Sequence, residues 1–189
     1  MVKSVLIVGV GGQGAILVSR VLTQGLVSAG YDVKMSEVHG MSQRGGSVST
    51  QIRYGEKVYS PIIGEGGADV LISFEKMEAV RYAKYLKPTG VAVINDYEIV
   101  PMGVAAGNEE YPQGTLESMQ DSFKCYVADA AGIAIGLGNA KCMNVVLLGT
   151  AVKALGLTDI DWEGVLRQVL KPSILEMNLI AFKKGFELE

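Results

Sequence analysis

Residues 3–14, KSVLIVGVGGQG, set an unbroken, largely β-branched apolar run directly against a cluster of glycines. Such a run suits a strand buried on both faces, as in a parallel sheet covered by helices. The glycines then turn the chain. From Gly12 to Ala29 the apolar positions Ile16, Leu17, Val21, Leu22, Leu26 and Ala29 recur at helical spacing, until Gly30 stops the pattern. DVKMSE follows as a second strand, completing a βαβ-sized unit.

The remainder of the chain extends this alternation. SVSTQIRYGEKVYSP predicts a β-hairpin insertion, two short strands about a turn at Tyr54 to Lys57, with Pro61 ending the second. ADVLISF and GVAVIN read as further buried strands. Between them EKMEAVRYAKYLK reads as a helix with Lys84 and Lys87 in its last turns, stopped by Pro88. From Tyr97 to Gly114 no period is sustained, which predicts a long excursion that serves as a mobile or contact loop. FKCYVADA closes the series of strands, and Lys141 to Leu155 is helical by pattern. One further helix begins near Asp161 with Trp162, Val165, Leu166, Val169 and Leu170 on one side. Another begins at Ser173, where Ser173 and Glu176 suggest a capping box. The expectation is a Rossmann-like α/β fold: one domain over residues 1–189, a mostly parallel sheet with flanking helices, a hairpin insertion, and C-terminal helices from about residue 158.

Composition narrows the function classes. A formal net charge of −3 argues against a nucleic-acid surface that works through net positive charge. The apolar N-terminal run is too short and too broken by glycine to read as a signal peptide, and VVLLGTAVKALGL, interrupted by Lys153, falls short of a bilayer span. A cytoplasmic chain with neither a nucleic-acid nor a membrane partner is expected. The two cysteines, Cys125 and Cys142, lie outside any CxxC pattern, so this chain alone builds neither an iron–sulfur cluster nor a four-cysteine zinc site. Both read as small core residues, and no metal site is expected.

Gly9, Gly11 and Gly14 satisfy G-x-G-x-x-G between a strand and a helix, where backbone N–H groups and the helix dipole can hold a phosphate. Gly12 belongs to the same turn, Gln13 offers an amide at the helix start, and Glu37 falls at the end of the second strand, where a ribose-binding acid would sit. A turn that packs helix against sheet with no ligand is the competing reading of the same glycines. The loop SEVHGMSQRGGS, residues 36–47, follows the second strand and so belongs to the same carboxyl-end rim. Its Gly40, Gly45 and Gly46 allow close approach of another surface, and Arg44 offers a planar fork of donors suited to phosphate or carboxylate. His39, the sole histidine, has no cysteine or second histidine nearby with which to form a nucleophile pair or metal site, and is read as structural or substrate-lining ahead of catalytic. Gln43 and Arg44 are read as contact groups, Glu37 as a possible partner of Arg44, and Arg53 as an ion-pair or sheet-edge residue. No catalytic residue is assigned.

These segments, GVGGQG, GYDVKMSEVHGMSQRGGSVSTQIRYGEKVYSP, ADVLISFE, LKPTGVAVIN and GNAKCMNVVLLG, occur in an order and spacing that resemble the gamma-type component of the 2-oxoacid:ferredoxin oxidoreductases. Within that family the beta subunits of the indolepyruvate:ferredoxin oxidoreductases are the most similar branch. The resemblance runs from the first strand to about Gly149, and the EVHGMSQRGG block is its most specific part. It implies oxidative decarboxylation of a 2-oxoacid, indolepyruvate or another aryl pyruvate, to an acyl-coenzyme A with reduction of ferredoxin. It also implies that thiamine diphosphate, Mg2+ and 4Fe–4S clusters belong to a large partner subunit, none being held by this chain alone. Ferredoxin and coenzyme A would be met through the complex. Gly11, Gly12, Gln13, Gly14, Glu37, His39, Gln43, Arg44, Gly45 and Gly46 would then form a rim that touches substrate, cofactor or the partner subunit. Two other classes remain open on the residues themselves: a free-standing NAD(P)-dependent oxidoreductase built on Gly9, Gly11, Gly14 and Glu37, and a non-catalytic docking module.

Overall fold

The computed structural model describes residues 2–39 and 45–188, with only the backbone of His39. Six strands, β1 (Lys3–Val10), β2 (Asp32–His39), β3 (Ser47–Gly55), β4 (Ala68–Ser73), β5 (Leu86–Asn95) and β6 (Lys124–Ala128), form one sheet in the order β2-β3-β1-β4-β5-β6. β1, β4, β5 and β6 pair in parallel, whereas β3 runs antiparallel to both β1 and β2. The expected mostly parallel α/β sheet is present. β2 is parallel to β1 but is not its neighbour.

The helices among the described residues are α1 (Ala15–Ser28), α2 (Lys76–Tyr82), α3 (Met102–Ala105), α4 (Thr115–Ser122), α5 (Ala130–Gly136), α6 (Met143–Ala154), α7 (Trp162–Val169) and α8 (Pro172–Glu187). The period of two along each strand divides the core. Val5, Ile7, Ile52, Val70, Ile72 and Val93 pack with α1 and the C-terminal helices, while Leu6, Val8, Leu71, Ala92 and Ile94 pack on the opposite face, which carries α2 and α4. Each central strand is therefore buried on both sides, which is why these strands read as continuous apolar runs.

Three local expectations need correction. The hairpin does not fold within residues 47–61: its arms are β2 and β3, joined through residues 40–46, and residues 56–67 contain no strand. Arg53 consequently lies on an interior strand, not at a sheet edge, and its guanidinium donates to the carbonyls of Ser60 (3.1 Å) and Ile62 (3.4 Å), tethering the segment after β3. The helix after β4 ends at Tyr82, followed by a 3-10 turn over Ala83–Tyr85, so Lys87 and Pro88 open β5. The β4–β5 register shifts between Ala68 and Val70, an irregularity beside Pro88 of the kind that accommodates its missing N–H. Finally, α8 starts at Pro172 with Lys171 as N-cap; its proline occupies the first turn, where no N–H is needed, and Ser173 is not a cap.

The C-terminal helices are held by close backbone contact. α6 and α8 cross at Gly149 and Gly185, where a Cβ on Gly185 would overlap the Val146 carbonyl and one on Gly149 would overlap that of Phe182. Thr150 Oγ1 donates to the Gly185 carbonyl at 3.0 Å in the same contact. Replacing Gly185 by valine should therefore cost about 3 kcal/mol or more in denaturant unfolding, because backbone cannot yield as a side-chain tip can. A loss below about 1 kcal/mol would show that the two helices separate cheaply.

Candidate functional site

The carboxyl ends of β1, β2, β4, β5 and β6 lie on one rim, and the antiparallel β3 begins there. The β1–β3 ladder ends at the Val10–Ser47 pair, and the two chains stay together beyond it: the Gly11 N–H donates to the Gly46 carbonyl (2.8 Å) and the Gly45 N–H to the Gly11 carbonyl (3.3 Å). The glycine turn and the end of the 40–46 loop are thus bonded to each other. Gly12, Gly14 and Gly45 have φ of 108°, 87° and 76°, the left-handed region that other residues resist. Gly14 is also the N-cap of α1, and any Cβ there would collide with the side-chain amide of Asn144, which donates to the Gly14 carbonyl.

Gln13 does not reach outward as an unoccupied amide. Its Oε1 accepts the Val10 N–H at 2.7 Å and its Nε2 donates to the Phe74 carbonyl at 3.0 Å, joining the end of β1 to the end of β4. Asn95, fully buried, donates to that same Phe74 carbonyl (3.2 Å) and accepts the Ala130 N–H (3.1 Å), adding β5 and the start of α5. Sequence reading missed Asn95. Its only signal is an amide at the end of an apolar run, where a strand must terminate in something able to pair loose backbone groups.

Glu37 sits on β2 opposite Thr50, and Ser19 Oγ of α1 donates to its carboxylate at 3.3 Å. In a dinucleotide fold the ribose-binding acid ends the strand next to the glycine turn. Here β3 intervenes, placing Glu37 two strand spacings, roughly 10 Å, from β1. That displacement removes the geometry behind the NAD(P) reading. His39 pairs through its backbone with Val48 as the last residue of β2, and its side chain is outside the described residues, as are Gln43 and Arg44.

Two clefts open on either side of the glycine turn. One of about 290 Å³ is lined by Val10, Gly11, Ile16, Val48 and Thr50 on the α1 face. The other, about 650 Å³, lies between the turn, Tyr97 and Ile99 after β5, and Ile135, Lys141 and Asn144. The second cleft is a crevice outside the carboxyl ends of the strands, the position at which open α/β sheets receive ligands. Among the described residues no three His, Cys, Asp or Glu side chains gather as a metal site. Cys142 belongs to the core on the α1 face and Cys125 packs against the opposite core; burial pushes both thiols up, away from the thiolate form that a cluster needs.

Two buried carboxylates were also missed. Glu75 and Glu78, 2 % and 3 % exposed, are the only charged side chains fully buried among the described residues, and both belong to the first turn of α2. Glu75 caps α2 by accepting the Glu78 N–H (2.9 Å), and its other oxygen accepts the Tyr111 hydroxyl (2.6 Å), pinning the 96–114 excursion. Burial and the Glu75 carboxylate together push the Tyr111 phenol up. Glu78 accepts the Ser47 hydroxyl at 2.5 Å and pairs with Arg81 at 3.4 Å.

Burial raises the Glu78 pKa above 4.5, with Glu75 adding to the shift and Ser47 and Arg81 opposing it. A folded-state value above the unfolded one means that the native protein holds this proton more tightly. The resulting stability is complete below pH 4.5 and is lost as pH rises through the folded value. Glu78→Gln should therefore gain stability relative to the parent as pH climbs from 4.5 towards neutrality, measured by urea unfolding across that range. Parallel stability curves would contradict the assignment. Gln13→Leu, which removes both bonds across the turn, should cost about 1–3 kcal/mol in the same assay.

Comparison with known proteins identifies the family of the chain. The family model for pyruvate ferredoxin/flavodoxin oxidoreductase matches residues 4–188. Indolepyruvate oxidoreductase subunit IorB of Thermococcus kodakarensis is 40% identical over 190 residues, covering 96% of this chain and 93% of that one. The protein of the same name from Archaeoglobus fulgidus is 36% identical, covering 97% and 93%. Among solved structures, pyruvate oxidoreductase subunit PORC of Thermotoga maritima superposes with a TM-score of 0.74 at 19% identity, over 99% of this chain and 96% of that one, a likeness of fold. With the family model and the full-length relatives in agreement, the chain belongs to the pyruvate ferredoxin/flavodoxin oxidoreductase family.

Proposed function

We propose that this chain is the small subunit of an indolepyruvate:ferredoxin oxidoreductase, converting an aryl pyruvate and coenzyme A to an acyl-coenzyme A and carbon dioxide while two electrons pass to ferredoxin. The observation that carries the reading is near-full-length identity of 36% to 40% with proteins named as subunits of indolepyruvate oxidoreductase. Thiamine diphosphate with Mg2+ supplies the decarboxylation chemistry and 4Fe–4S clusters the electron path, both on the large partner subunit. The reading is supported by the chain's own thiols: Cys142 is buried and Cys125 half-buried on opposite faces of the sheet, so the two are unsuited to share a cluster. A soluble electron acceptor such as ferredoxin fits a cytoplasmic location.

In this reading the rim does the work of the subunit. Gly11, Gly12 and Gly14, with Gly45 and Gly46 bonded across from them, form a surface without side chains that another protein or a bound substrate can approach closely. His39, Gln43 and Arg44 belong to the same loop and supply its polar groups, Arg44 as a fork for a carboxylate or phosphate. Glu37 and Gln13 support the rim from behind through Ser19, Val10 and Phe74. Coenzyme A and ferredoxin are met through the complex.

Reconstitution tests the reading. Adding the chain to the thiamine- and cluster-bearing partner should give indolepyruvate- and coenzyme A-dependent ferredoxin reduction; full activity of the partner alone would make the chain a dispensable docking module. Arg44→Ala should weaken assembly or turnover by roughly tenfold with the fold intact. His39→Gln should lower turnover by less than about two orders of magnitude and leave the pH-rate profile in place. A larger loss with one arm of the profile gone would make His39 a proton-transfer residue.

A further inference from the structure

The residues from Phe74 to Glu78 reach the glycine turn, the end of β5, the 96–114 excursion and the start of β3. The Phe74 carbonyl accepts from Gln13 of the glycine turn and from Asn95 at the end of β5. The Lys76 N–H donates to the Tyr97 carbonyl, and its ammonium pairs with Asp96 and Glu98. Glu75 holds Tyr111 and the Ile99 N–H. Glu78 alone reaches β3, at Ser47, the residue that immediately follows the glycine pair bonded to the turn.

Glu78 is the part of this junction that the fold itself does not require. Glu75 has structural duties as a helix cap and anchor of the excursion. Glu78 caps nothing, lies 3 % exposed, and its ionised form weakens the native state, since burial raises its pKa. Replacing it by an apolar side chain relieves the desolvation of the carboxylate at the cost of leaving the Ser47 hydroxyl without this acceptor. Among the described residues the groups facing it are Glu75 and Arg81 from its own helix, and Ser47 from β3, whose hydroxyl also lies 3.3 Å from the Tyr82 hydroxyl. Of these bonds, only that to Ser47 reaches outside α2.

We infer that Glu78 is a positioning residue for the rim: by holding the Ser47 hydroxyl it sets how the start of β3, and with it Gly45 and Gly46, lies against the Gly11 turn. Glu78 touches no substrate in this account and acts through Ser47. The inference rests on the proposed role of the rim as the contact surface of an oxidoreductase subunit, and deepens it by naming what keeps that surface in order.

The test is amide hydrogen exchange, residue by residue, on the full chain of the parent, Glu78→Leu, Glu78→Gln and Ser47→Ala. In Glu78→Leu the Gly11 and Gly45 amides should exchange roughly tenfold faster or more, while amides of α6 and α8 are unchanged. Ser47→Ala should reproduce the faster exchange with the carboxylate in place. Glu78→Gln, which keeps an acceptor, should restore the parent rates to within about threefold. Unchanged Gly11 and Gly45 rates in both Glu78→Leu and Ser47→Ala would overturn the inference, as would faster exchange spread uniformly through α6 and α8, the signature of a general loss of stability. A parallel binding titration with the partner subunit separates the two layers. Weaker binding by Glu78→Leu in step with its exchange rates supports both, whereas unchanged binding with a loosened rim leaves the positioning role standing and removes the rim as the docking surface.

Discussion

The architecture of the rim depends on one strand running against the others. Because β3 lies antiparallel between β1 and β2, it begins where they end, and its first residues are drawn onto the glycine turn by the Gly11–Gly46 and Gly45–Gly11 backbone bonds. A parallel neighbour would have entered at the far end of the sheet and left the turn facing solvent or a nucleotide. The same insertion separates Glu37 from β1. One reversal of direction thus removes the dinucleotide arrangement and creates a double glycine edge.

An edge built from backbone has few side chains to stiffen it, and polar groups behind it take that role. Gln13 and Asn95 join the ends of β1, β4 and β5 through the shared Phe74 carbonyl, Asn95 reaches the start of α5 by accepting the Ala130 N–H, and Glu75 and Lys76 fasten the 96–114 excursion. Such networks cost desolvation and are rigid only when their members are satisfied. Both buried carboxylates, Glu75 and Glu78, and the fully buried Asn95 lie at this carboxyl end.

Much of the fold was legible in the sequence because burial on both faces leaves an unmistakable pattern in VLIVG, ADVLISF and VAVIN, and because Gly12 to Ala29 carries a helical period. The partner of β3 was not legible: SVSTQIRYG followed by EKVYSP looks like a hairpin locally, and only long-range pairing sends its first half to β2 and β1. The helix ending at Tyr82 was read too long because Lys87 and Pro88 resemble a helix stop, whereas a register shift admits Pro88 into β5. At the site, co-location of the glycine turn with the loop was legible from topology. The inward turn of Gln13 was not, nor the burial of Glu75 and Glu78, since a helix beginning EKMEAV looks solvated until Ser47, Ile99 and Tyr111 close over it.

The central claim is that the doubly glycine-lined rim is the face by which this subunit meets its partner. Hydrogen exchange of the chain, alone and in complex with the thiamine- and cluster-bearing subunit, measures it directly. The account predicts that protection on binding concentrates at residues 11–14, 45–48 and 97–99, at the carboxyl ends of the strands. Protection confined to α7 and α8, with exchange at the Gly11 and Gly45 amides unaltered, would contradict it.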